Sequence, residues 1–455
     1  MRTLFVTSLP LFVFSMWLHA AEPIALSQDY WKDESFLKSF NGSYRVNARI
    51  EPTVNSEERG LLVSIQSLMA AGKREQALAK LKASPMLQSS AAIAYNAGNI
   101  QFELGALKEA AKHYQDALKI FPSFRRAHRN LGFVFAREND WDQALPSLEE
   151  AIRLGDQDGS TYGQLAYGRM HKEQYASSLQ AYRLAQLTQP ESVDWKVGTA
   201  QCLQYLQRND EALALLDEVL ASRPNESSYY LLQASIQLSM DRTDDAIINL
   251  ELVRRLGMLD AGNHLLLASL HLRAGSRRLA RPVMMSALAM EAKPTVPAAL
   301  NVLEFSTQIR EWELARDFSL AFEKSFPAVK DEKLKQKHQR LVALIDIDSG
   351  ENPSRGAAVL QALIKNDPLD ASSLILLARH HARQTQHQQS EMLLQQAARV
   401  EGFEYEASIE LAKLYVTMAR YRAAVKQLDR ALDIRSSTAI ETYREAVIYL
   451  AEASE

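Results

Sequence analysis

A single cysteine, Cys202, occurs in 455 residues. That excludes an intramolecular disulfide framework and a cysteine-built zinc or iron–sulfur site. The 17 glycines and 14 prolines are too few for a collagenous or low-complexity chain. No charge of one sign prevails, because 52 Lys and Arg stand against 55 Asp and Glu for a formal net charge of -3. Without a global basic field, composition gives no support to nucleic-acid or anionic-membrane binding, and any electrostatic recognition must be local. No phosphate-binding loop, GxSxG elbow or HExxH pair occurs, so the strong enzyme signatures are missing. What is present, 47% apolar and 24% charged residues, is the composition of a chain that folds.

The N-terminus carries Arg2, an uncharged and mostly apolar run from Leu4 to Leu18, then His19, Ala20 and Ala21 before Glu22. That order is expected of a secretory signal peptide over residues 1–20, cleaved near Ala20 and Ala21. As a helix the run reaches only ~22 Å, short of a ~30 Å bilayer core, and no later run approaches 18 apolar residues. No cysteine stands near the cleavage site to carry a lipid. The expected product is exported and periplasmic, without a membrane span after cleavage.

Residues 22–57 read as a separate extended or capping segment. Tyr30, Trp31, Phe36 and Phe40 stand among polar residues, and Tyr44, Val46, Ala48 and Ile50 alternate with polar neighbours at the period of a strand. These aromatics are suited to cover an exposed apolar end of the following array.

From residue 58 the apolar spacing becomes helical, in pairs divided by short turns. Small residues recur 34 apart: Ala110, Ala144, Ser178, Ala212, Ala246 and Ala280. A second column, Gly98, Gly132, Ala166, Ala200, Ala234 and Ala268, keeps the same interval, and so does a third from Ala117 to Ala287. Small side chains let antiparallel helices approach, while large ones such as Tyr114, Leu131, Tyr182 and Leu250 fill the space between them. Pro122, Pro190 and Pro224 fall just past second helices, where a residue unable to continue a helix belongs. One such unit cannot bury both faces, so neighbours must stack.

This pattern resembles the tetratricopeptide repeat (TPR) family. The match is fullest over 91–124, through Asn96, Ala97, Gly98, Asn99, Ala110, Tyr114, Ala117 and Pro122, and continues over 125–158 through Asn130, Leu131, Gly132, Phe135, Ala144 and Ala151. The resemblance implies an all-α fold, a right-handed TPR superhelix (α-solenoid) of about eleven helix-turn-helix repeats. Ala77, Ala315, Gly356, Ser390 and Ala424 extend the column, and the long step from Ala315 to Gly356 predicts a lengthened charged helix around Lys330 to His338. Pro282, Pro294 and Pro297 place an expected boundary between a 58–295 array and a 296–438 array, with residues 439–455 as a capping helix.

In similar proteins the first helix of each pair faces a concave groove. Here those positions hold Tyr95, Asn96, Asn99, Glu103, Arg126, Arg129, Asn130, Phe133, Arg137, Gln164, Tyr167 and His171, a basic, amide-bearing and aromatic set. Asn both donates to and accepts from a peptide backbone, and Arg grips carboxylates in a bidentate way. The expected ligand is an extended peptide with an acidic side chain or free C-terminus. The family's carboxylate clamp is matched only in part, since Arg129 replaces a lysine. Downstream, Gly198, Leu232 and Leu266 replace the amide, which predicts a more apolar partner surface.

No cofactor or metal is expected. Asp156, Asp158, Gly159 and Asp346, Asp348, Gly350 resemble the opening of a calcium loop but lack its other ligands, and turn chemistry accounts for them. His380, His381 and His387 lie in a glutamine-rich polar turn. An enzyme or metal protein built from His171, Glu103 and Arg137 is the runner-up class. The leading one is a non-enzymatic scaffold binding other periplasmic or envelope proteins. Within it, Phe121–Gly132 and Leu154–Gly159 are similar to periplasmic TPR proteins accompanying TonB-type complexes, with outer-membrane assembly and polysaccharide export as alternative settings.

Overall fold

The computed structural model describes residues 22–27, 29–41 and 49–454. Every regular element among them is helical. A 3₁₀ turn at Tyr30–Lys32 precedes α1 (Glu34–Asn41). Antiparallel pairs then follow: α2 (Ser56–Ala70) with α3 (Arg74–Lys82), α4 (Ala91–Glu103) with α5 (Leu107–Ile120), and α6 (Arg125–Arg137) with α7 (Trp141–Arg153). Next come α8 (Gly159–His171) with α9 (Tyr175–Thr188), α10 (Val193–Tyr205) with α11 (Asn209–Ser222), and α12 (Ser227–Ser239) with α13 (Thr243–Arg255). The series continues with α14 (Ala261–Arg273) and α15 (Arg277–Ala289), α16 (Val296–Gln308) and α17 (Trp312–Ser325), and α18 (Glu332–Asp348) and α19 (Pro353–Asn366). It closes with α20 (Ala371–Arg383) and α21 (His387–Ala397), α22 (Glu404–Thr417) and α23 (Tyr421–Ile434), and a last helix α24 (Thr438–Ala453). The architecture is an α-solenoid of helix-turn-helix repeats.

The turn inside a pair is built the same way in four successive pairs. Asn139, Glu173, Gln207 and Asp241, each one period apart, all have φ near +60°. The residue after each donates its N–H back five residues, as Asp140 does to the Phe135 carbonyl at 2.9 Å and Gln174 to Arg169 at 2.8 Å. These bonds satisfy carbonyls that a helix end would otherwise leave unpaired, which offsets the cost of left-handed backbone in non-glycine residues.

The small-residue columns mark the closest contacts within pairs. A Cβ added at Gly98 would lie 2.7 Å from the Tyr114 ring, and one at Gly132 would lie 2.7 Å from Leu148 Cδ2 and 3.2 Å from the Leu148 backbone nitrogen. Because backbone blocks the second position, Gly132→Val must part α6 from α7. It should cost about 1–3 kcal/mol. Gly60, inside α2, has nothing within 4 Å of its added Cβ. Gly60→Ala should therefore stabilise by about 0.5–1 kcal/mol. Urea unfolding of both variants tests this, and equal midpoints would refute the packing account.

The chain divides into two compact units between Asn249 and Leu250, inside α13. Helix α15 runs on through Pro282, just as α7 runs through Pro146 four periods earlier. Both prolines lie on exposed faces, where water satisfies the carbonyl that loses its partner. The long step between Ala315 and Gly356 is taken up by α18, whose 17 residues exceed the 13 or 14 of most neighbours.

In the first unit the described part of the N-terminal segment is irregular at 22–27 and helical from Glu34. The residues of the predicted alternation up to Ala48 lie outside the described residues, as do residues 1–20. In the second unit, one apolar cluster runs from Ala343 and Leu360 through Leu374 and Leu411 to Val447 of α24.

Candidate functional site

The inner helices α4, α6, α8 and α10 of the first unit line up the residues assigned to a groove. They are not an open surface, as the sequence reading expected: Tyr95, Asn99, Arg126, Arg129, Asn130 and Phe133 are buried. What covers them comes from the chain's own N-terminal segment, through described residues between Ile24 and Phe40 and through Arg49–Glu51.

The centre of the contact is a backbone carbonyl, that of Phe40. It accepts from Arg129 Nη2 at 3.2 Å, from Asn130 Nδ2 at 3.4 Å and from the Tyr95 hydroxyl at 3.4 Å. Asn130 Nδ2 also donates to the Tyr95 hydroxyl and to Asn99 Oδ1, both at 3.0 Å, and the Tyr114 hydroxyl donates to Asn99 Oδ1 at 2.8 Å. Burial pushes the Tyr114 phenol well above its ordinary pKa. The network arises because three residues on adjacent turns of neighbouring inner helices point the same way.

Apolar contact holds the segment around that carbonyl. The Phe40 ring stacks on Phe102 with centroids 4.3 Å apart, and Phe36 lies 5.5 Å from Phe133. Tyr30 meets Trp195 edge-on at 5.5 Å and Phe36 at 5.2 Å. Further along, Ile24 N–H donates to Gln201 Oε1 at 2.9 Å, and Ser27 donates through its N–H and hydroxyl to the Asp194 carboxylate at 2.9 and 3.0 Å. At the other end, Arg126 Nε donates to Glu51 at 2.9 Å, Ser123 Oγ donates to the Arg49 carbonyl at 2.8 Å, and Arg125 N–H donates to the Ile50 carbonyl at 3.1 Å. A tethered segment meets its site at a high effective concentration, which favours it over any free peptide of equal chemistry.

The remaining groove residues have other roles. Asn96 donates to the Ala92 carbonyl of its own helix at 2.7 Å, and Arg137 lies over the Phe102 ring at 5.1 Å. Tyr167 is half-buried against His171, with ring centroids 4.8 Å apart. The His171 ring stacks on Trp141 at 5.1 Å, and burial lowers its pKa against the opposing pull of Glu22. Glu103 accepts from Arg74 at 2.8 Å. Cys202 is buried, and burial pushes its thiol up to about 11. Asp158 caps α8 through Ser160 N–H at 2.8 Å, whereas Asp346 lies within α18 and takes two 2.7 Å bonds from Arg355. Among the described residues no three His, Cys, Asp or Glu side chains come together as metal ligands.

Asp194, Trp195, Gln201 and Glu51 were missed by the sequence reading. Asp194 and Gln201 were accessible to it, because they continue the columns of Arg126 and Phe133 two periods on.

Stacked helix pairs that hold a peptide segment on their inner helices define a helical-repeat interaction scaffold. The chain carries tetratricopeptide repeats. A TPR repeat model matches residues 98–139, and two tetratricopeptide repeat models match residues 169–236 and 348–405. The TPR repeat-containing protein YpiA of Bacillus subtilis (strain 168) is 31% identical over 124 residues, which are 27% of this chain and 29% of that protein. The chain therefore spans under a third of the length of this relative. Among solved structures, YrrB, described as a TPR protein with an unusual peptide-binding site, matches at 20% identity and TM-score 0.36 over 37% of this chain and 87% of its own. A tetratricopeptide repeat protein from Parabacteroides merdae matches at 17% identity and TM-score 0.36 over 63% of this chain and 98% of its own.

Proposed function

We propose that the chain is an exported, non-enzymatic adaptor that gathers other envelope proteins by receiving their segments on its inner helices. The observation that carries this reading is the Phe40 carbonyl held by Tyr95, Arg129 and Asn130, since the first unit already handles a peptide backbone in this way. The order of residues 1–22 supports export. Among the described residues no helix is long and apolar enough to cross a membrane. Because its own segment fills the first unit, the partner is received on the inner helices of the second. TonB-type energy transduction, outer-membrane assembly and polysaccharide export are the settings such an adaptor serves.

Photocrosslinking in cells tests the reading, with the reactive residue at Arg137, at Lys413 on α22 of the second unit, or at Leu187, which is 79% exposed on an outer helix. Position 413 should capture one discrete envelope protein, position 137 only the chain's own N-terminal segment, and position 187 neither. Capture at 187 as strong as at 413 would refute inner-helix recognition, and a cytosolic partner would refute export.

A further inference from the structure

The second unit has a cavity of about 530 Å³ on α18, α20, α21 and α22. Its apolar lining comes from Leu344, Ile347, Leu376, Leu394 and Leu414. Its charged rim carries four cations, Arg310, Arg379, Arg383 and Lys413, against two carboxylates, Asp348 and Glu410. Three of the cations are engaged: Arg379 with Glu410 at 3.0 Å and Glu406 at 3.1 Å, Lys413 with Glu410 at 2.7 Å, and Arg383 with Asp348. Arg310, exposed at the turn after α16, has no carboxylate partner among the described residues. The Ser390 hydroxyl also lines the cavity, fully buried and without a hydrogen-bond partner among the described residues.

These features define a complement. An apolar floor of branched side chains takes aliphatic groups, and an unspent cation beside a shared guanidinium takes a carboxylate. Basic partners are disfavoured because the two rim carboxylates are already bonded. Three of the lining helices, α18, α20 and α22, are inner helices of their pairs, the kind of element that holds a peptide backbone in the first unit, and α21 adds Ser390 and Leu394 from an outer helix.

We propose that this cavity receives a peptide segment of a partner protein in which acidic and aliphatic residues alternate, with a carboxylate placed on Arg310. The proposal rests on the adaptor reading above and adds the chemistry of what is received. It differs from the sequence expectation in place, because the acid-binding surface lies beyond residue 310 and not on Arg126 and Arg129, which serve the chain's own segment.

Fluorescence anisotropy on the full chain tests it with three labelled ten-residue peptides, one alternating leucine and glutamate, one alternating leucine and lysine, and one of glutamate alone. The leucine–glutamate peptide should bind saturably and lose affinity with added salt, and the other two should bind at least about tenfold more weakly. Arg310→Glu touches no existing ion pair and should leave the helical signal and melting unchanged. It should weaken the leucine–glutamate peptide by about tenfold or more. Equal binding of the lysine peptide, or an affinity unmoved by Arg310→Glu, would overturn the proposal. Binding of hexanoate in place of every peptide would overturn the peptide class. The two readings separate cleanly: a basic protein captured at position 413 keeps the adaptor and removes this inference, whereas leucine–glutamate binding without any cellular capture does the reverse.

Discussion

Phe40→Ala is expected to loosen residues 22–41 from the first unit. The Phe40 side chain is fully buried, stacked on Phe102 and within 6.4 Å of Phe133. Truncating a buried phenylalanine costs about 3–5 kcal/mol through lost burial and the cavity left behind. The size of that loss has a ceiling. Once the cost reaches the docking free energy of the segment, the segment leaves and no further stability is lost. Hydrogen exchange read by mass spectrometry separates the outcomes. The amides of Ile24, Ser27 and α1 should lose protection while α14–α24 keep theirs. A synthetic peptide of residues 22–41 added to the variant should restore protection to α4 and α6, since the site it vacates is still built. Unchanged protection of α1 would mean that Phe40 does not hold the segment.

The second large effect is electrostatic. Arg126 and Glu51 are each 4% exposed and meet at 2.9 Å, with Arg125 a further 3.4 Å contact to the same carboxylate. Replacing Glu51 with alanine leaves the Arg126 guanidinium in a low-dielectric site beside the Tyr95 and Phe124 rings. Breaking such a buried pair costs about 3–5 kcal/mol, mostly from the charge left behind and not from the pair's own net worth. The double variant Glu51→Ala with Arg126→Met should therefore recover most of the loss. Urea unfolding of the two single variants and the double variant gives the coupling directly. Additive losses in the double variant would show that the two residues act independently.

The helix pairs were legible because a close helix contact admits only small side chains, and the 34-residue interval of Gly98, Gly132 and Ala166 records that contact directly. The inner face was legible for the same reason: once the register is known, Tyr95, Arg129 and Asn130 fall on it by geometry. Its occupant was not. Phe40 meets Phe102, and Ser27 meets Asp194, across separations that no period connects, so the aromatics at Tyr30–Phe40 looked like a cap over an end when they lie along an inner face. The unit boundary in α13 left no composition signal, whereas Pro282 gave one where the helix carries on, because an exposed proline on an outer face interrupts a bond but not the packing.

A stack of repeats in which each pair touches only its neighbours melts from its ends, one coupling at a time. In the first unit the N-terminal segment adds links of another kind. It bonds Tyr95 on α4, Asn130 on α6, and Asp194 and Gln201 on α10, pairs that do not adjoin one another along the whole of that span. Fraying that reaches α4 or α10 must then release the segment as well, so opening that stretch costs more than the loss of one neighbour's coupling. The first unit gains in that stretch the cooperativity of a globular domain, and the second, whose couplings run from neighbour to neighbour, keeps the graded elasticity of a spring.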